Sequence, residues 1–174
     1  MELIYYPNPI LKKQSKPLER IDQKVRDAVR EMFSIMYRHK GVGLAAPQVG
    51  WSKRLFVINL SGNPLEGTEK VYINPRITAQ EGEVLEEEGC LSIPEVRGRV
   101  LRSNKVTVRA QDLDGKVFSE EAVELHARAL QHELDHLDGI LFIERLGAAD
   151  QLTIKKALKN LKEKNGAASG AGSR

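Results

Sequence analysis

Cysteine is almost absent from this chain. Cys90 is the only one in 174 residues, so no internal disulfide can form, and the sequence reads as one kept in a reducing compartment, the cytoplasm. Long apolar runs are missing too: the longest, such as Leu55–Leu60, fall far short of a membrane span, so no membrane partner is expected. The opening MELIYYPNPILKKQ has no basic start, no long apolar stretch and no small-residue cleavage site, which argues against export. Nor is one sign of charge in excess. With 27 basic and 24 acidic residues the formal charge is +3, too small to point to nucleic acid, and no DNA partner is expected. Internal repeats are lacking as well.

What is present is ordinary globular material, 41% hydrophobic and 29% charged, in a length that makes one domain the default. Asn8-Pro9 and Lys16-Pro17 make residues 1–18 extended or turn-rich. From Asp22, a plausible N-cap, to about His39, the residues Val25, Val29, Met32, Phe33 and Met36 recur at helical spacing. The glycine-rich Gly41–Gly50 is read as non-helical. Strands are expected at Arg54–Leu60, Val71–Thr78, Val84–Glu87, Val96–Leu101, Val106–Asp112 and Lys116–Ser119, with a hairpin at Asp114-Gly115. A second helix is expected from about Val123 to Leu137, stopping near Gly139, and a third over roughly Ala149–Lys164. The expected fold is α+β: antiparallel sheets around a central helix, with an N-terminal and a C-terminal helix. Residues 1–165 read as a single domain and the small polar stretch 166–174 as a flexible tail.

Chemistry is concentrated in Gln131-His-Glu-Leu-Asp-His136. His132 and His136 are four apart, about 40° of rotation on an α-helix, so both imidazoles project from one face as two corners of a metal site. Glu133 is offset by roughly 100°, within reach of a water on the metal rather than of the metal. The same face continues through Ala129 and Leu125 as an apolar wall. The third ligand is harder to place. A histidine ligand further downstream fails at Phe142, and Glu163 is the only glutamate candidate in the last helix. The remaining soft donor is Cys90, in Glu88-Gly-Cys-Leu-Ser92; a buried structural cysteine and a cysteine nucleophile are the alternatives.

Three motifs in order, Gly41-Val-Gly-Leu-Ala-Ala-Pro-Gln48, Glu88-Gly-Cys-Leu-Ser92 and Gln131-His-Glu-Leu-Asp-His136, resemble those of bacterial-type peptide deformylases, and the similarity runs over roughly residues 1–165. The resemblance implies a hydrolase that removes the formyl group from the N-terminal formyl-methionine of newly made proteins and releases formate. It implies that Cys90, His132 and His136 hold one divalent metal, usually ferrous iron, with zinc or nickel able to replace it. It further implies Glu133 as the base, with the Gln48 amide and the Leu91 backbone N–H as oxyanion donors. Val42, Gly43, Glu88, Leu125 and Ala129 would lie near the methionine side chain, a peptide would run beside Val42–Gly43 and Gly89, and Arg97 would touch it further along.

Two charge runs remain. Glu81, Glu83, Glu86, Glu87 and Glu88 are followed by Arg97, Arg99, Arg102, Lys105 and Arg109, and both runs read as solvated surface able to pair across a sheet. Lys155, Lys156, Lys159, Lys162 and Lys164 on the last helix read as a solvated face, with weak contact to the ribosome as the functional alternative.

Overall fold

The computed structural model describes residues 1–169. Helix α1 (Gln23–Arg38) starts where the Asp22 carboxylate accepts the Val25 N–H at 3.1 Å, the expected cap. Its stripe of Val25, Val29, Met32, Phe33 and Met36 is buried against β1 (Gly43–Ala45) and β2 (Leu55–Ile58). Full burial of each such side chain contributes about 2 kcal/mol. Strand β1 was not expected. It is too short for an alternating pattern, yet Gly43 pairs opposite Ile58 and Ala45 opposite Phe56. The non-helical reading of the glycine stretch also needs correction at Ala46–Val49, a single 3-10 turn. Pro47 sits in its first positions, where a missing N–H costs nothing, and Gly50 closes it at φ 79°.

The other strands are β3 (Lys70–Glu81), β4 (Val84–Cys90), β5 (Ile93–Arg102), β6 (Lys105–Gln111) and β7 (Val117–Val123). Of the seven strands described, five form an antiparallel sheet in the order β1-β2-β3-β6-β7, while β4 and β5 form a separate two-stranded ribbon. Most strands outrun the apolar segments that announced them, because main-chain pairing continues through charged residues whose side chains face water: Glu81 pairs opposite Lys105, and Glu87 opposite Arg99. The β6–β7 turn is the expected hairpin. Asp112 Oδ1 accepts the N–H groups of Asp114 and Lys116 at 2.9 Å each, and Gly115 takes φ 78°.

Helix α2 (Glu124–Leu137) follows β7 with no linker. The expected start at Val123 is corrected by one residue, because Val123 still pairs with Lys105 and the chain reverses at Glu124, φ 53°. One side of α2 sets Ala127, Leu130 and Leu137 on Phe56, Tyr72, Val106 and Val108 of the large sheet. Its other side faces the β4–β5 ribbon. Behind that ribbon, α3 (Ala148–Ser169) buries Ile154 and Leu161 in a cluster with Leu11, Val96, Val100 and Phe142. Gly98 makes this packing possible: a Cβ there would lie 2.7 Å from Leu146 Cδ2. The helix runs past Lys164 through 166–169, four residues of the expected tail, where alanines offset Gly166. The rest of that tail, 170–174, lies outside the described residues. Among the described residues no helix is long and apolar enough to cross a membrane.

Candidate metal centre

Three elements meet between the large sheet and the ribbon. Cys90 is the last residue of β4, His132 and His136 stand on one face of α2, and their potential ligand atoms all lie within 4.8 Å of one another. The Cys90 Sγ is 3.2 Å from His136 Nε2. One ion holding three donors at tetrahedral angles separates them by about 3.5 Å, so the spacing fits a single metal. A thiolate with two imidazoles suits iron, nickel or zinc alike.

The donors are aimed by a second layer of bonds. His132 Nδ1 meets Glu88 Oε2 at 2.9 Å, which turns Nε2 towards the centre. Glu88 is held in turn by Arg102, Nε to Oε1 at 2.8 Å and Nη2 to Oε2 at 3.0 Å. Glu88 lines the cavity with its carboxylate engaged by Arg102 and His132. One expectation changes here: Glu88 and Arg102 are not part of a solvated charge run, since their side chains are 9% and 3% exposed. Burial raises the Glu88 carboxyl, but the bonds to Arg102 and His132 outweigh it and bring it down to about 2. Other members of the two runs do pair at the surface, as Glu87 with Arg97 (3.6 Å) and Glu81 with Lys105 (3.9 Å).

Glu133 is placed differently. Its Oε2 is buried and, among the described residues, has no hydrogen-bond partner. Burial pushes its carboxyl up to about 7, against the pull of His132. The carboxylate presses against β1, where a Cβ on Gly43 would lie 2.4 Å from Glu133 Oε1. Gly43 is therefore a glycine because Glu133 needs the space. Gly41 does the same for Leu91, whose Cδ1 would be 2.6 Å from an added Cβ. Gly89 is not crowded in this way; it sits in regular register opposite Arg97 with only ordinary contacts. The two imidazoles are driven apart in basicity. Burial lowers His132, but the Cys90 sulfur and Glu88 outweigh it and hold it well above its usual value. Burial lowers His136, and the charges of His132 and Arg102 add to that.

Gln48 completes the ring. The 3-10 turn brings its amide beside β1, where Oε1 accepts the Ala45 N–H at 2.8 Å, so Nε2 points at Ser92 Oγ (3.1 Å) and Cys90 Sγ (3.4 Å). A cavity of about 520 Å³ opens over this group. Its lining takes in Val42, Gly43, Gln48, Glu88, Gly89, Cys90, Leu91, Arg97, Leu125, Ala129, His132 and Glu133, which is every expected site residue but the deeply buried His136. Ala129 is buried, whereas Leu125 is half exposed and forms the rim. Arg102, Asp135 and Ser92 were missed by the sequence reading. A signal existed for Arg102: in β5, Val96, Gly98, Val100 and Arg102 share the inward phase of a two-residue period, and all four are buried.

Comparison with known proteins agrees with this geometry. The sequence profile described as polypeptide deformylase matches residues 1–152. A peptide deformylase of Acidobacterium capsulatum is 46% identical over 159 residues, covering 91% of this chain and 94% of its own. One of Chromobacterium violaceum is 43% identical over 165 residues, 95% of this chain and 98% of its own. Among solved structures, Arabidopsis thaliana peptide deformylase 1B in complex with an inhibitor superposes with a TM-score of 0.93 at 38% identity, covering 100% of this chain and 98% of that one. A peptide deformylase from Legionella pneumophila gives 0.86 at 40%, covering 95% and 96%.

Proposed function

The chain belongs to the polypeptide deformylase family, metal-dependent hydrolases that remove the N-formyl group from nascent peptides, and from that premise we propose how its own residues divide the work. The observation that carries the proposal is the meeting of Cys90, His132 and His136 beside a buried carboxylate with an unbonded oxygen. Those three residues hold one divalent metal, ferrous iron in the cell, with zinc or nickel able to take its place. Bound there, the metal supplies Lewis acidity, acidifying a water and polarising the formyl carbonyl.

Glu133 takes the proton of the attacking water. Its raised carboxyl makes it a base strong enough for that task and an acid strong enough to return the proton to the departing amine, after which formate leaves. Gln48 Nε2 and the Leu91 backbone N–H donate to the oxygen that gains charge. Gln48 is held beside the site for this by the bond its Oε1 accepts from Ala45. The peptide lies as an added strand beside Val42–Gly43 and Gly89, with Arg97 touching it further on. Its methionine side chain fills the slot between Leu125 and Ala129. Formyl-Met peptides should therefore be cleaved far faster than formyl-Asp peptides, and norleucine, which exchanges the thioether sulfur for a methylene of similar size, should nearly replace methionine.

The work is placed in the cytoplasm, where formylated chains emerge from the ribosome. The exposed lysines of α3 (Lys155, Lys156, Lys159, Lys162 and Lys164) are proposed to make weak, salt-sensitive ribosomal contacts. Co-sedimentation with ribosomes that survives truncation at Ala149 would remove the helix from that role. The ligand set is tested by Cys90→Ala, expected to lose the metal together with formate release; a variant that keeps full metal would overturn it. Iron is tested by side-by-side decay in air, in which iron-loaded enzyme should fail first because metal and thiolate both oxidise. Equal lifetimes of iron, nickel and zinc forms would contradict it.

A further inference from the structure

The bonds that aim His132 do not stop at Arg102. Its Nη1 donates to Asp135 Oδ2 at 2.6 Å, on the flank of α2 opposite Glu133. Arg145, just past the 3-10 turn Phe142–Glu144, forks onto the same carboxylate, Nε to Oδ2 at 2.5 Å and Nη2 to Oδ1 at 2.6 Å. The side chains of Arg102 and Asp135 are 3% and 10% exposed, while that of Arg145 is 40% exposed. A chain of four charged groups thus runs from the protein surface to His132: Arg145, Asp135, Arg102, Glu88.

Its charges balance in pairs, two guanidiniums with two carboxylates. Arg102 is shared between both carboxylates and lies nearly buried, so how tightly it grips Glu88 depends on what else Asp135 can bind. With Arg145 in place, Asp135 has a fork of its own and Arg102 keeps two N–H groups on Glu88. Without it, two buried carboxylates compete for one guanidinium, and Glu88 loses part of the hold that fixes the His132 ring. We propose that Arg145 is a positioning residue for the metal centre, acting through Asp135, Arg102 and Glu88 to orient His132. This rests on the metal-binding reading of Cys90, His132 and His136.

Arg54 provides the comparison within the same molecule. It grips the same end of α2, Nη1 to Asp138 Oδ1 at 2.7 Å and to Leu137 O at 3.4 Å, but hydrogen-bonds to none of the four groups that lead to His132. The experiment measures zinc affinity of metal-stripped protein by competition with a chelating indicator, together with zinc stoichiometry at saturation and kinetics of the zinc-loaded enzyme on a formyl-Met peptide. Arg145→Ala should weaken zinc binding about 10-fold, the low end of what losing an outer-layer partner costs, and should lower kcat with KM little changed. Arg145→Lys, which keeps the charge without the fork, should recover part of the affinity. Arg54→Ala should leave zinc affinity at the parent value. Parental affinity in both Arg145 variants would overturn the proposal, as would an equal loss in Arg54→Ala. If Arg145→Ala does not fold, Arg145→Lys against the parent decides by the same criterion. A parent that takes up no zinc would overturn the metal reading as well, whereas a parent that binds one equivalent while Arg145 proves irrelevant would overturn only this inference.

Discussion

Helix α2 carries two kinds of buried polar side chain, and they are treated in opposite ways. On the flank opposite Glu133, Gln131 exchanges bonds with the Ser103 backbone (3.0 and 2.8 Å) and donates to Ala127 O at 2.9 Å, while Asp135 is gripped by two arginines. On the metal side, Glu133 Oε2 and His136 Nδ1 are buried without a hydrogen-bond partner among the described residues. A buried polar atom left unbonded costs about 1–3 kcal/mol, so the fold carries that cost on one side and avoids it on the other. The bonded side supplies rigidity. The unbonded side supplies groups whose protons and lone pairs are free for chemistry. A pre-organised site needs both, since a reactive carboxylate is useful only if the helix under it does not move.

Substitutions on the two sides should separate activity from stability. The largest effect is expected from His132→Ala, which should abolish formate release with loss of the metal; an active variant would break the division at once. Next comes Arg102→Ala, which leaves the buried Glu88 carboxylate without its guanidinium and Asp135 with Arg145 alone, and should destabilise the fold by about 3–5 kcal/mol, read as a shift of the urea midpoint. A change within about 1 kcal/mol would show that the bonded side is not the rigid one. Gln131→Ala should cost about 1–3 kcal/mol by the same measurement while activity per bound metal stays at the parent level. The smallest change is expected at the rim: Leu125→Ala, at a half-exposed position, should move stability by under about 1 kcal/mol and weaken the preference for methionine over smaller side chains.

The contrast between the sides also explains what could be read from sequence. His132, Glu133 and His136 announce themselves because helical spacing fixes which residues share a face, and that needs no tertiary knowledge. The three helices and most strands follow from periodicity in the same way. Strand β1 did not, since Gly43–Ala45 is too short to show a period and owes its conformation to pairing with β2. The spacing of charges misled for Glu88 and Arg102, which look like neighbours in exposed runs until β4 and β5 are paired and α2 is laid against them. Arg145 lay beyond any local rule, because its partner Asp135 is brought to it only by the turn after α2. Nor does any local pattern show that Gly43 leaves room for Glu133.

On the proposed mechanism Glu133 is the base and not a ligand. A paired measurement separates the two roles: metal content and formate release on Glu133→Ala, each compared with the parent. The expected result is one full equivalent of metal with turnover reduced by at least the roughly 10²–10⁴-fold that a general base contributes. Near-normal formate release would contradict the mechanism, and loss of the metal with the carboxylate would make Glu133 a ligand instead.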